Sequence, residues 1–267
     1  MTEKNPLEIN PELVSRVLIG FIRDQLHKVG MQKVVVGLSG GVDSATSTYL
    51  AVRALGNENV WAIKMPYKTS SPESAGDAGL VIEALNLPSM TIEITDMVDA
   101  YFAKFPDISQ LRKANRIARE RMAILYDQSV ALNALVLGTG NKTESLLGYT
   151  TLWGDMACAF NPIGDLYKTQ VRQLAKYLGV PQRIIDKPPT ADLWPGQTDE
   201  GELGFTYAQA DILLYYLVDR CCSFSELESL EFEMDFIDKV FARIQRNQFK
   251  RAMPPVAKIS GLGPCCT

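Results

Sequence analysis

Short apolar segments alternate along this chain with longer segments in which the apolar residues recur every three or four positions. The short segments, whose nearly continuous apolar character is typical of strands buried on both faces of a sheet, cover residues 33–38, 60–65, 90–94 and 134–137. Helical patterns separate them and cover residues 44–55, 72–85 and about 109–132. The alternation predicts an α/β fold, a parallel sheet with helices on both faces.

Helical patterns also flank this alternating region. Asn10 followed by Pro11 is typical of a helix start, and a period of 3.6 residues continues from there to Gly30. Further helices are expected over residues 168–178 and after Thr206 and Ser225. The first helix carries apolar residues on more than one narrow stripe, so it could pack in the core or at a subunit interface.

Composition and charge narrow the possible functions. The chain has 267 residues, is 46% hydrophobic and has a formal net charge of −4. It therefore lacks the overall positive charge with which proteins attract the phosphates of a nucleic acid. No segment reaches the ~20 apolar residues of a membrane helix. The charged, proline-containing N-terminus also lacks the apolar run of a signal peptide. We therefore expect a single domain over residues 1–267, cytoplasmic, with no nucleic-acid or membrane partner.

The cysteines show no C-x-x-C spacing and are odd in number, so we expect neither structural disulfides nor a zinc site. They are Cys158, Cys221, Cys222, Cys265 and Cys266.

Residues 37–44 join the first predicted strand to a helix and read G-L-S-G-G-V-D-S. They formally match the nucleophile elbow G-x-S-x-G, but that serine needs a histidine base later in the chain, and the only histidine, His27, precedes it. The segment also lacks the lysine of a Walker A loop and the spacing of a G-x-G-x-x-G dinucleotide loop. These absences leave an anion-binding loop of another kind.

Such an anion-binding loop explains the residue types in this segment. Its members are Gly37, Leu38, Ser39, Gly40, Gly41, Val42, Asp43 and Ser44. Glycines let backbone N–H groups approach an anion, serines add hydroxyl donors, and the following helix directs its positive end to the same point. Asp43 would repel a bare phosphate, but Mg²⁺ between them would remove the conflict. Alternatively, Asp43 only stabilises the first turn of its helix.

The S-G-G-V-D-S sequence after a buried strand resembles the pyrophosphate loop of the N-type ATP pyrophosphatases. Other stretches resemble the ammonia-dependent NAD synthetases of that superfamily and follow the same order along the chain. They are KANRIARERM (113–122), LVLGTGNKTESLLGY (135–149), NPIGDLYKTQVRQLAKYLGVP (161–181), PTADLWPGQTDEGELGFTY (189–207) and KRAMPP (250–255). The resemblance covers nearly the whole chain, and PTADL with DE-x-x-LG is specific to that family.

This resemblance implies a Rossmann-like fold of the adenine nucleotide alpha hydrolase type and a homodimer. It implies a ligase that uses ATP and Mg²⁺ to join ammonia to deamido-NAD through an adenylate, releasing AMP and pyrophosphate. A glutamine-dependent member would carry an additional glutaminase domain, for which the matched pattern leaves no room, so free ammonia or a separate partner is expected to supply the nitrogen.

The resemblance also implies roles for individual residues. Asp43 and Glu144 correspond to the Mg²⁺ ligands, and ATP is contacted by the pyrophosphate loop together with Thr139, Lys168 and Thr190. Arg119 and Lys250, the latter preceded by Phe249 where a histidine is often found, correspond to contacts with deamido-NAD. Asp43, Lys168 and Asp155 are the expected catalytic residues, with Asp155 positioning or deprotonating ammonium.

For several of these residues, a purely structural role is the alternative. Glu144 could be a plain helix-start carboxylate, and Arg119 could belong to a solvated stripe with Arg112 and Arg116. A positive charge at Lys168 opposes the dipole at its helix start, which suggests a ligand there. Residues 188–204 show little regular pattern and are expected to form a lid, although its Asp192, Asp199 and Glu200 could simply keep it soluble.

Two departures from the family pattern concern the substrate. Where many bacterial members read T-K-Y-G-D-G-x-x-D, residues 151–159 place Leu152 and Ala159 at a lysine and an aspartate that contact deamido-NAD. The rival hypotheses are therefore another ATP pyrophosphatase with a different carboxylate or carbonyl substrate, and a nucleotide-binding module that has lost catalysis.

Overall fold

A computed structural model describes residues 5–190, 192, 194 and 196–257, so Pro195, Cys265 and Cys266 lie outside the described residues. The predicted α/β fold with a parallel sheet is confirmed. The strands are β1 (Lys33–Gly37), β2 (Val60–Lys64), β3 (Ser89–Thr91) and β4 (Ala134–Val136), in the order β3-β2-β1-β4 with every pair parallel. The carboxyl ends of β1 and β4 therefore lie side by side, since Val35 is paired with both Trp61 and Val136.

Helices precede, connect and follow these strands. They are α1 (Pro11–Lys28), α2 (Val42–Leu55), α3 (Pro72–Leu85), α4 (Thr95–Phe102), α5 (Gln110–Leu132), α6 (Lys142–Leu147), α7 (Lys168–Leu178), α8 (Gln182–Asp186), α9 (Asp199–Leu203), α10 (Tyr207–Leu214), α11 (Phe224–Ser229) and α12 (Met234–Arg246). Short 3₁₀ turns cover Asn57–Asn59 and Gln248–Arg251, and α10 continues as a π-helical turn over Tyr215–Asp219.

The alternation of side chains along β1 explains why helices cover both faces of the sheet. Val34 and Val36 point to one face and pack in a cluster with α1, α2 and α7, whereas Val35 points to the other and packs in a cluster with α4 and α5. All three valines are fully buried. A third cluster, built mainly from α6 and from α9 to α12, contains no strand and lies around Leu147, Tyr207 and Leu227.

Several predicted boundaries need correction. The third strand is shorter than residues 90–94, α2 begins two residues before Ser44, and the last predicted helix begins at Phe224 rather than after Ser225. From Phe224 onward the chain forms two helices, α11 and α12, where the pattern indicated one start. The sequence pattern missed α4, α6 and α8, and it treated α9 as part of an irregular segment. These helices have five to eight residues, too few for a period of 3.6 to repeat clearly, although the side-chain cap of α6 at Asn141 was readable.

The first helix packs in the core through one face and carries exposed apolar side chains on another. Ile22 and Leu26 are buried in the core, while Leu13 and Val17 are 53% and 60% exposed. Within the described chain, no helix is long and apolar enough to cross a bilayer. The thiols of Cys158, Cys221 and Cys222 are free.

Candidate active site

The glycine loop between β1 and α2 is shaped by close contact with α3. Gly40 has φ of +80°, and a Cβ there would lie 2.3 Å from the Ser74 carbonyl oxygen, so only glycine fits without strain. The hydroxyl of Ser44 donates to the Gly41 carbonyl oxygen at 3.0 Å, and its oxygen lies 3.1 Å from the Ser39 hydroxyl. No side chain caps α2, so the first N–H groups of this 14-residue helix stay available beside the loop.

Lys168 brings together the two carboxylates that the sequence assigned to a metal. Its ammonium group donates to Asp43 Oδ2 at 2.5 Å and to Glu144 Oε1 at 3.0 Å. The lysine side chain is only 3% exposed, and both carboxylates are largely buried. The second oxygen of Asp43 accepts from Asn141 Nδ2 at 2.9 Å. The charge of Lys168 at the start of its helix is therefore balanced by two carboxylates, Asp43 after β1 and Glu144 after β4.

Burial and the neighbouring charges change the pKa values of Glu144 and Lys168. Burial raises the pKa of Glu144 to about 7, against the lowering effect of Lys168. Burial opposes the charge of Lys168, but the attraction of Asp43 and Glu144 outweighs it and raises the lysine pKa. Lys168 is therefore a permanent cation at neutral pH, while Glu144 changes charge near neutrality.

A buried carboxylate on α10 holds the helix starts that carry this site. Asp211 is fully buried; it accepts from the Thr143 hydroxyl at 2.5 Å and from the Thr169 N–H at 2.8 Å. The Thr143 hydroxyl oxygen in turn accepts from the Lys168 N–H at 2.9 Å. Asp211 thus joins α6 and α7, and no motif in the sequence pointed to it.

Asp199, at the start of α9, lies near Lys168, and the side chain of Tyr207 contacts both residues. Asp199 is 4% exposed, so the interpretation that it keeps a lid soluble is wrong for this residue. Its Oδ2 accepts from the Tyr207 hydroxyl at 3.0 Å, and the Tyr207 ring centroid lies 5.2 Å from the Lys168 ammonium. Burial raises the pKa of Asp199, and the charge of Lys168 opposes that rise.

Two of the residues expected to contact deamido-NAD, Arg119 and Lys250, bind the backbone of the segment between α6 and residue 155. Arg119 donates to the Leu152 carbonyl from Nε and Nη2, at 3.2 and 3.1 Å. Lys250 Nζ donates to the carbonyls of Gly148 and Thr150, both at 2.8 Å. Phe249 is 61% exposed. The Asp155 carboxylate accepts from the Thr151 N–H at 2.7 Å.

The neighbouring positions of the arginine stripe contact other groups. Arg112 and Arg116 lie over the rings of Phe105 and Tyr101, and Arg116 also pairs with Glu120. Ala159 is exposed, and its N–H donates to the Val136 carbonyl.

Two cavities open beside these residues. A small one of about 80 Å³ is lined by Asn141 and Asp155 and lies next to Gly138 and Gly140, the neighbours of Thr139. A larger one of about 650 Å³ lies beyond the carboxyl end of β2, between Tyr67, Phe102, Lys113 and Trp194. Its volume is in the usual range for sites of small organic ligands.

Thr190 lies on the segment that leads from α8 to α9. Its hydroxyl oxygen accepts from the Asp192 N–H at 3.0 Å. The carboxylate of Asp192 accepts from the Ser71 N–H at the start of α3, at 3.1 and 3.0 Å. Among the described residues, no group of three or more His, Cys, Asp or Glu side chains is arranged to hold a metal ion by itself.

The model of one protein family, described as NAD synthase, matches residues 14–254. The chain belongs to the NAD synthase family. An NH(3)-dependent NAD(+) synthetase of Trichlorobacter lovleyi is 55% identical over 255 residues, which cover 96% of this chain and 93% of that protein. The resemblance inferred from the sequence motifs is therefore confirmed.

Solved structures of the NAD synthase family share this architecture. The NH3-dependent NAD synthetase from Campylobacter jejuni, in complex with the nitrate ion, superposes with a TM-score of 0.80 at 36% identity, covering 94% of this chain and 100% of that one. The NMN synthetase from Francisella tularensis gives a TM-score of 0.81 at 34% identity, covering 94% and 99%. The fold is thus that of the NAD synthetases, a parallel sheet of Rossmann-like type.

Proposed function

We propose that this protein is an ammonia-dependent ligase that amidates deamido-NAD with ATP, giving NAD, AMP and pyrophosphate. The observation that carries the proposal is the position of the glycine loop: in a chain of this family, it lies directly beside a buried cation, Lys168, shared by Asp43 and Glu144. A phosphate chain bound at the loop would meet both the free N–H groups of α2 and this charged centre.

The proposed reaction has two steps, adenylation of the carboxylate and displacement of AMP by ammonia. A nicotinate carboxylate oxygen attacks the α-phosphorus of ATP, and the bond to pyrophosphate breaks, leaving an acyl adenylate. Ammonia then attacks the acyl carbon, AMP leaves, and the nitrogen loses its proton. Neither step needs a covalent nucleophile from the protein, which agrees with a chain whose only histidine is His27.

The glycine loop and Lys168 supply positive groups where negative charge develops. We propose that the backbone of residues 37–44 and the hydroxyls of Ser39 and Ser44 bind the departing pyrophosphate. Thr139 and Thr190 are proposed as further ATP contacts. Lys168 stabilises the charge on the phosphate oxygens, since a buried ammonium is worth more there than in water.

The donor set fits Mg²⁺. Asp43 and Glu144 already converge on one cation, and two carboxylates are what Mg²⁺ commonly takes from a protein when phosphate oxygens and water complete its shell. When bound there, the ion would neutralise phosphate oxygens and polarise the α-phosphorus.

The acceptor side of the site suits a nicotinate nucleotide and ammonia. We propose that Arg119, Phe249 and Lys250 contact deamido-NAD, which carries phosphates and a carboxylate that a guanidinium can bind. Asp155 lines the cavity of about 80 Å³, which has room for a molecule the size of ammonia. We propose that its carboxylate orients ammonium or takes its proton. The aromatic and basic lining of the larger cavity suits a nucleoside portion of a substrate.

The organisation of the protein is also part of the proposal. We propose that the described residues belong to one NAD synthetase domain, since they match the ammonia-dependent relative over 93% of its length. We propose a homodimer, as the family resemblance implies. A cytoplasmic location agrees with the use of ATP.

An NMN synthetase is the second candidate, because the Francisella structure superposes as well as the NAD synthetase does. Both activities would amidate a nicotinate nucleotide, and Leu152 and Ala159 replace residues that contact deamido-NAD in many family members.

One assay separates the candidates. Purified protein is incubated with ATP, Mg²⁺ and ammonium, and with deamido-NAD, deamido-NMN or neither, while the amide product, AMP and pyrophosphate are measured together. Equal amounts of NAD, AMP and pyrophosphate with deamido-NAD support the proposal. A preference for deamido-NMN supports the second candidate. Pyrophosphate release with neither acceptor consumed, or no ATP cleavage, contradicts both.

A further inference from the structure

Lys187, just after α8, is bound to α3 although sequence motifs assigned it no role. Its ammonium donates to Asp77 Oδ2 at 2.9 Å and to the Ser74 hydroxyl at 3.0 Å. Asp77 is 1% exposed, whereas the lysine side chain is 16% exposed. Lys187 therefore bridges two residues one turn apart on the same helix.

The same turn of α3 supports the glycine loop. A Cβ at Gly40 would lie 2.3 Å from the Ser74 carbonyl oxygen and 3.0 Å from Asp77 Cβ. The loop backbone thus rests directly on the two residues that Lys187 binds. A shift of this turn would move the N–H groups proposed to bind pyrophosphate.

Charge compensation alone does not account for Lys187. Arg183 Nε also lies 2.7 Å from Asp77 Oδ1, but this contact lacks hydrogen-bond geometry, and Oδ1 accepts no hydrogen bond among the described contacts. Lys187 is therefore the cation that hydrogen-bonds this buried carboxylate, which needs a partner in good geometry to repay its desolvation. The second contact of Lys187, to the Ser74 hydroxyl, is one that Arg183 does not make among the interactions described.

Lys187 is also one end of a short segment that is attached at both ends. At the other end, Asp192 has φ of +51°, and its carboxylate accepts from the Ser71 N–H at the start of α3. Thr190, the proposed ATP contact, lies between them. Both attachments are made to the first turns of α3, the helix on which Gly40 packs.

We propose that Lys187 is a positioning residue that holds the Thr190 segment and the glycine loop in register through Ser74 and Asp77, so that ATP meets both at once. This inference rests on the proposed function for its ATP site. Lys187 sets the geometry of ATP binding and takes no part in proton or group transfer.

The test compares Lys187→Met with Arg183→Met, which removes the other cation of Asp77 and serves as the matched control. In the first variant Arg183 stays within ion-pair distance of Asp77, and thermal unfolding checks that the fold survives. Loss of two charge-assisted hydrogen bonds should raise KM for ATP and the Kd for pyrophosphate about tenfold, with kcat changed less than about threefold. Lys187→Arg should recover most of the affinity.

Arg183→Met should change both constants less than about twofold, because that side chain is 60% exposed and touches neither Ser74 nor the Thr190 segment in the described contacts. Calorimetric binding of pyrophosphate needs no amidation, so it tests the inference even if the substrate is another nucleotide. Unchanged pyrophosphate affinity in folded Lys187→Met, or equal losses in both variants, overturns the inference. If the wild-type protein bound pyrophosphate but made no NAD, the proposed function would fail and the comparison of variants would still decide the role of Lys187.

Discussion

Asn141 donates a hydrogen bond from Nδ2 to Asp43 Oδ1 over 2.9 Å, although 98 positions separate the two residues. The bond joins the loop after β1 to the start of α6 after β4, across the edge where the two neighbouring strands end. Asn141 also caps α6 by accepting from the Glu144 N–H at 2.9 Å. The Asn141 side chain therefore ties the Asp43 carboxylate to the first turn of the helix that carries Glu144.

Asp43→Asn should lower kcat by about 10²–10³-fold, because it removes a charged ligand while the amide keeps the shape of the side chain. Turnover is measured by NAD formation, and thermal unfolding shows that the fold is retained. Asp96→Asn is the control, since Asp96 is an exposed carboxylate in the first turn of α4. Similar small effects in both variants would mean that Asp43 only stabilises its helix.

Glu144→Gln should flatten the pH dependence of stability of the metal-free protein. Burial raises the pKa of Glu144 to about 7 from the ordinary 4.5, so the folded protein binds more protons than the unfolded chain between these values. Stability from this group is complete below about pH 4.5 and is lost as pH rises through about 7. The free energy of unfolding of the wild type should therefore fall by the order of 1–3 kcal/mol relative to the variant between pH 5 and 8.

Chemical denaturation at several pH values measures this difference. Glu12→Gln serves as the control, because Glu12 forms an exposed pair with Arg16 and its loss should leave the profile unchanged. Parallel pH profiles for wild type and Glu144→Gln would contradict the raised pKa.

Gly40→Ala should weaken both folding and ATP binding. The backbone has φ of +80°, and the new methyl group would lie 2.3 Å from a carbonyl oxygen, so we expect a loss of stability of about 1–3 kcal/mol and a higher KM for ATP. Gly76→Ala, in α3, has open space around its Cβ and should stabilise the protein by about 0.5–1 kcal/mol. Denaturation curves and ATP titrations of both variants give the comparison; wild-type behaviour of Gly40→Ala would contradict the tight packing of the loop.

Asp211→Asn should lower stability by about 1–3 kcal/mol, because an amide can accept with only one of the two oxygens that now bind Thr143 and Thr169. Since Thr143 also binds the Lys168 N–H, kcat should fall in the same variant. The exposed Asp186→Asn provides a control. Lost stability with unchanged kcat would show that Asp211 supports the fold without positioning Lys168.

The strands and long helices could be predicted because their evidence is local. A buried strand such as β1 is visible as a run of apolar residues, and α7 as a period of 3.6 residues that ends at Gly179. The glycine loop was recognisable for the same reason, because its residues are contiguous. Short helices such as α9 escaped prediction because five residues hold too little of a period to distinguish them from a loop.

The sequence alone determined the fold class and the family, since both are written in contiguous residues or in a periodic pattern, and it predicted which residues contact the nucleotide. Only the tertiary structure decided which groups meet. Lys168 reaches Asp43 across 125 positions and Lys187 reaches Asp77 across 110, and the burial of Asp199 follows from how α9 packs. Such meetings depend on the order of strands in the sheet and on the packing of distant helices, which no local pattern of side chains specifies.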